Sequence, residues 1–88
     1  MANHQSALKR ARQSEKRRIR NKSVRTNLRR TIRTVRQAVE AGDAAVAQQA
    51  LQAAIPVIDK AASKGVIHRN NASRKISRLA MKVNALNA

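Results

Sequence analysis

The chain has 88 residues and a formal net charge of +16, with no Cys, Phe, Tyr or Trp. That length allows one small domain with a marginal core. The composition excludes disulfide staples and Cys-based metal sites, and leaves the core to Leu, Ile, Val, Met and Ala. Each large aliphatic side chain contributes about 1.5–3 kcal/mol when fully buried. That is small against ordering entropy and the self-repulsion of so many cations. The free protein is therefore expected to be only partly stable, with a bound polyanion completing its folding.

The charge is uneven. Residues 1–36 hold thirteen Lys or Arg and one acid, Glu15, whereas residues 37–88 hold seven and three. Such a split points to nucleic acid or an anionic surface. No stretch approaches the roughly 20 apolar residues of a membrane span. The start, Met1-Ala2-Asn3-His4-Gln5, lacks a secretory apolar region. A basic, acid-poor N-terminus also fits a mitochondrial transit peptide, but here the basic run continues unbroken into an apolar-periodic region.

Three breakers, Gly42, Pro56 and Gly65, divide the chain into three predicted helices. The first runs from about Ser6 to Ala41. Val24, Leu28, Ile32, Val35 and Val39 recur at helical spacing and form one apolar stripe. Arg25, Arg29, Arg33 and Arg36 run beside it, offset by one residue. Before Val24 the pattern changes. Leu8 and Ile19 are too far apart for a stripe, and the bases from Lys9 to Lys22 point in nearly every direction. A helix polar all round has no core to pack on. Residues 1–23 are therefore read as an arm projecting from a bundle formed by residues 24–88.

The second helix is expected from about Asp43 to Lys64. Gly42 stops the first by taking a left-handed conformation, and Asp43 offers the next N-cap. Ala47, Leu51, Ala54, Ile58 and Ala61 keep helical period, with Ala50 and Ala62 beside them. The stripe stays in phase across Pro56, so a kinked but continuous helix is expected rather than a break at Ile55. Gly65 closes it, and Val66 is placed for the contact of a Schellman turn. The third helix starts near His68–Asn71 and runs to about Leu86, with stripe residues Ala72, Ile76, Leu79, Val83 and Leu86. Asn70 and Asn71 are its candidate N-caps. The expected fold is all-α: an up-down-up three-helix bundle with a long basic first helix projecting beyond it.

Catalysis is not expected. The four acids, Glu15, Glu40, Asp43 and Asp59, are scattered, and His4 and His68 are isolated. No metal or cofactor is expected, because there is neither ligand spacing nor a Gly-rich phosphate loop.

The basic segment carries the signal. A solvated charged face is the simpler explanation, but thirteen bases against one acid exceed what solubility requires. Phosphate binding explains them: Lys and Arg that neutralise a polyanion release its counterions. Arg outnumbers Lys here, and guanidinium forks grip phosphate bidentately. The arm's candidates are Lys9, Arg10, Arg12, Lys16, Arg17, Arg18, Arg20 and Lys22, with Arg25 and Arg29 on the bundle flank. Cations on all sides suit folded RNA, whose crevices offer phosphates from several directions. Asn3, Gln5, Ser6, Gln13, Ser14, Asn21, Ser23 and Thr26 can bond ribose hydroxyls or phosphates. The lack of aromatics argues against a base-stacking single-strand binder. A second cluster, His68-Arg69-Asn70-Asn71-Ala72-Ser73-Arg74, sits at a predicted helix N-terminus, where free amides and the dipole favour an anion. N-capping with surface charge is the alternative there. Lys75 and Arg78 extend this cluster along the third helix.

Several runs carry a resemblance. Met1-Ala2-Asn3, Ser6-Ala7, Lys9-Arg10-Ala11 and Gln13-Ser14-Glu15-Lys16 resemble the start of the bacterial small-subunit ribosomal protein S-twenty family. So do Ala41-Gly42-Asp43, Lys64-Gly65-Val66-Ile67-His68-Arg69-Asn70 and Ser77-Arg78-Leu79. The resemblance covers nearly the whole chain, although the absence of aromatics departs from the family pattern.

The resemblance implies a three-helix, non-enzymatic structural constituent of the small (30S) ribosomal subunit. It would bind 16S ribosomal RNA directly, bridging the 5′ domain and the base of the 3′ minor-domain helix. It would be a monomer within the subunit and cytoplasmic. The matched Asn3, Ser6, Lys9, Arg10, Gln13, Ser14 and Lys16, with His68, Arg69 and Asn70, would contact RNA. A DNA-binding architectural protein is the alternative, but no base-reading constellation is evident. A membrane-active cationic peptide would need an apolar stripe within Ser6–Ser23, which is missing.

Overall fold

The computed structural model describes residues 2–87, with side chains from residue 4 onward. It contains three helices: α1 (Ala2–Ala41), α2 (Ala44–Ser63) and α3 (Arg69–Asn87). They run up, down and up, with α2 packed on both neighbours and α1 and α3 meeting less extensively.

Helical period explains the packing. The whole stripe expected on α2, Ala47, Leu51, Ala54, Ile58 and Ala61, is buried. Leu28, Val35 and Ala38 of α1 and Ala72, Leu79 and Val83 of α3 complete the buried core. Val24, Ile32, Val39, Ile76 and Leu86 pack against it, half-buried. Most α2 core positions are Ala, which lets three helices approach closely where no large ring fills space.

The junctions explain the topology. Gly42 has φ 77° and donates to the Val39 carbonyl at 3.0 Å. Asp43 then caps α2, its Oδ1 accepting from the Val46 amide at 3.2 Å. At the other end Gly65 has φ 75°. Its amide donates to Ala62, and that of Val66 to Ala61, each at 3.0 Å. Those two bonds make a Schellman motif, which closes α2 on its own carbonyls. A Cβ at either glycine would meet nothing within 4 Å, so the glycines are required by φ and not by space. Val66 is half-buried, and its neighbour Ile67 packs against the core.

Two sequence expectations need adjustment. The first helix begins at Ala2, four residues before Ser6, because no breaker interrupts that stretch. The cap of α3 is His68 and neither Asn70 nor Asn71, which lie inside the helix: His68 Nδ1 accepts from the Asn70 amide at 3.1 Å. α2 passes through Pro56 unbroken.

Helix α1 dominates the shape. Forty residues span about 60 Å, most of the longest extent of 66 Å. α2, half as long, pairs with only the C-terminal half of α1. Every residue from His4 to Arg20 is exposed, and Asn21 is the first that is half-buried. The N-terminal half of α1 therefore projects beyond the bundle by about 28 Å, at a rise of roughly 1.5 Å per residue.

Candidate nucleic-acid interface

The projecting half of α1 presents cations around its whole circumference. Lys9, Arg10, Arg12, Lys16, Arg17, Arg18, Arg20 and Lys22 are all exposed. From His4 to Arg20 every side chain is exposed, which follows from the lack of an apolar stripe there. Ser6, Gln13 and Ser14 are exposed among these bases. Asn3 lies in α1, and its side chain is outside the described residues.

One acid modifies the field. Glu15 accepts two bonds from Arg18, Oε1 from Nη2 at 2.6 Å and Oε2 from Nε at 3.1 Å. Among the described residues this is the one ion pair. Hydrogen bonding to Arg18 and its charge hold the Glu15 carboxyl below its ordinary range, and the Arg18 guanidinium is raised correspondingly. Arg18 is thus partly committed to its own helix, whereas the other arm cations are not.

Further along α1, Arg25 and Arg29 are exposed beside the buried Leu28. The Thr26 hydroxyl donates to the Lys22 carbonyl at 3.0 Å, leaving its oxygen lone pairs for any outside donor. Asn21 is half-buried, and its Oδ1 is covered without a hydrogen-bond partner. That oxygen faces the protein and is not presented to a surface ligand.

The second cluster lies where α2 turns into α3, at the end of the bundle from which the arm leaves: Val24 and Asn27 of α1 line one cavity with Lys60, Ala61 and Lys64 at the end of α2. His68, Arg69, Asn70 and Arg74 are exposed there, with Lys75 half-buried and Arg78 exposed further along. His68 already takes the Asn70 amide, so that amide is not free for an anion. Acceptance requires an unprotonated Nδ1. The structure separates the sequence-predicted residues into two groups, one on the projecting helix and one on α3. α3 reaches α1 only within the bundle.

Among the described residues no helix is long and apolar enough to cross a membrane. The exposed Leu8 and Ile19 stand three turns apart, with Glu15 between them. Among the described residues no group of three or more His, Asp or Glu can hold a metal ion.

The family model described as Ribosomal protein S20 matches residues 2–84. A protein of Geobacter metallireducens named small ribosomal subunit protein bS20 is 63% identical over 86 residues, covering 98% of this chain and 99% of its own length. The protein of that name from Geotalea uraniireducens is 65% identical with the same coverage. A third, from Syntrophobacter fumaroxidans, is 52% identical and covered along its full length. The match runs through the exposed basic half of α1, both glycine junctions and α3 alike. The chain belongs to the ribosomal protein S20 family.

Proposed function

We propose that the chain is a structural, non-catalytic constituent of the small ribosomal subunit that binds 16S ribosomal RNA directly and stabilises its folding and assembly. It acts as a monomer within the cytoplasmic ribosome, bridging the 5′ domain and the base of the 3′ minor-domain helix. Residues 1–23 serve as the RNA-binding arm, and residues 24–88 form the bundle that carries it.

One observation carries the reading: cations lie on every side of a helical segment, residues 4–20, whose side chains are all exposed. A duplex groove contacts one side of such a rod. A crevice between RNA helices contacts several. Within it, Arg10, Arg12, Arg17 and Arg20 neutralise phosphates of different RNA helices and lower the repulsion between them, while Ser6, Gln13 and Ser14 bond ribose or phosphate oxygens. Affinity then depends steeply on salt.

Arg10→Ala and Arg17→Ala test this directly. Each is expected to weaken binding to small-subunit RNA and to reduce the slope of log affinity against log salt by about one. Cooperative unfolding of the bundle should stay unchanged, since neither residue packs on the core. An unchanged salt slope in both variants counts against the arm.

A further inference from the structure

A second cationic feature lies on the bundle itself, where α1 meets α3. A cleft there is lined by Ile32, Arg36, Lys75, Arg78, Leu79 and Lys82. Buried Leu79 and half-buried Ile32 form its apolar floor. Four cations form its rim, Arg36 on one wall and the other three on the opposite wall. Positions 75, 78 and 82 are three and four apart, so they stack on one face of α3. Lys75 is itself half-buried. None of the four joins an ion pair among the described residues, and Glu40, one turn beyond Arg36, does not reach it. The cavity is about 150 Å³, room enough for a phosphate group.

Four like charges across one seam oppose its closure. The seam is also the least extensive helix contact in the bundle. An anion seated between the walls would attract both, converting repulsion between α1 and α3 into a shared attraction. Arg36 lies nineteen residues from Arg17 on the same helix, about 28 Å along its axis. That exceeds the Debye length of about 8 Å in physiological salt, so the cleft and the arm attract phosphate independently.

We propose that the α1–α3 cleft is a phosphate-binding site that takes the phosphodiester backbone of an RNA segment separate from the one on the arm, and that its occupation clasps α3 onto α1. The identity of the ligand rests on the RNA-binding function proposed above. The clasp has a consequence that a merely solvated basic face lacks: the same side chains destabilise the free protein and stabilise the complex.

The test compares the full chain with R36Q/K82Q and with R10A/R17A. Thermal unfolding is followed with and without pyrophosphate, against sodium chloride at matched ionic strength, and RNA affinity is measured across a salt series. For the wild type, pyrophosphate at about ten times its dissociation constant should raise Tm by about 6–11 °C beyond the chloride control. R36Q/K82Q should have a higher Tm than wild type without pyrophosphate, lose the pyrophosphate-specific rise, and show an RNA salt slope shallower by about two. R10A/R17A should keep the pyrophosphate rise while losing salt slope. A double variant R36Q/K82Q that unfolds, or that keeps the full pyrophosphate response, overturns the clasp. If R10A/R17A loses salt slope and R36Q/K82Q does not, the cleft proposal fails alone. If neither loses it, the RNA-binding function fails as well.

Discussion

At the scale of single residues, two side chains make measurable local contributions. Asp43 satisfies the Val46 amide, one of the orphan donors at the start of α2. Asp43→Ala should destabilise the bundle by about 1 kcal/mol, read as a lower urea midpoint with an unchanged m-value. No loss would mean that solvent serves that amide equally well. Glu15 is the other. Its carboxyl is held below the ordinary range by Arg18, so the charged form is favoured in the helix. The pair supports the arm's helix above the ordinary Glu value of about 4.3, and that support is lost as pH falls through the lowered value. Glu15→Gln should therefore reduce helical ellipticity at pH 7 and make no difference at pH 2, where both side chains are neutral. A difference persisting at pH 2 would show that the charge of Glu15 is not the cause. Both groups are exposed, so the effect is modest and screened by salt.

At the scale of elements, the core depends on a few alternating contacts. Ile58 of α2 is fully buried, in a core cluster to which all three helices contribute. Ile58→Ala should cost about 2–5 kcal/mol, a large share of the roughly 5–15 kcal/mol of an ordinary domain. Thermal unfolding should show a much lower Tm or no cooperative transition. A shift of only a degree or two would mean that α1 and α3 hold together without it. The stripes on α1, α2 and α3 were legible in the sequence, because a 3.6-residue period states which side chains share a face. Gly42, Asp43 and Gly65 were legible for the same kind of reason, each having one dominant local use. His68 was not. Imidazole is an uncommon cap, and the two asparagines two and three residues later are better suited by type. The continuation of α2 through Pro56 depended on phase across the proline, since local preference alone would have ended the helix at Ile55. The α1–α3 cleft was illegible because it depends on how two helices are rotated about each other. Arg36 and Lys82 acquire a shared role only when their faces meet.

At the scale of the molecule, α1 joins two unlike environments along one axis. From Val24 onward its apolar stripe is part of the core; before Asn21 every described side chain is exposed. A helix that long is not stabilised along its arm by tertiary packing, and its cations repel one another there. The rigid presentation and the repulsion have the same remedy, which is phosphate on several sides. The central claim is therefore the preference for folded RNA over a uniform duplex. Its most direct measurement is binding of the full chain to 16S ribosomal RNA and to duplex DNA at one matched, near-physiological salt concentration. Binding should be clearly tighter to the RNA. Equal affinity for the two would contradict it, because a polycation with no need of phosphates on several sides would then suffice.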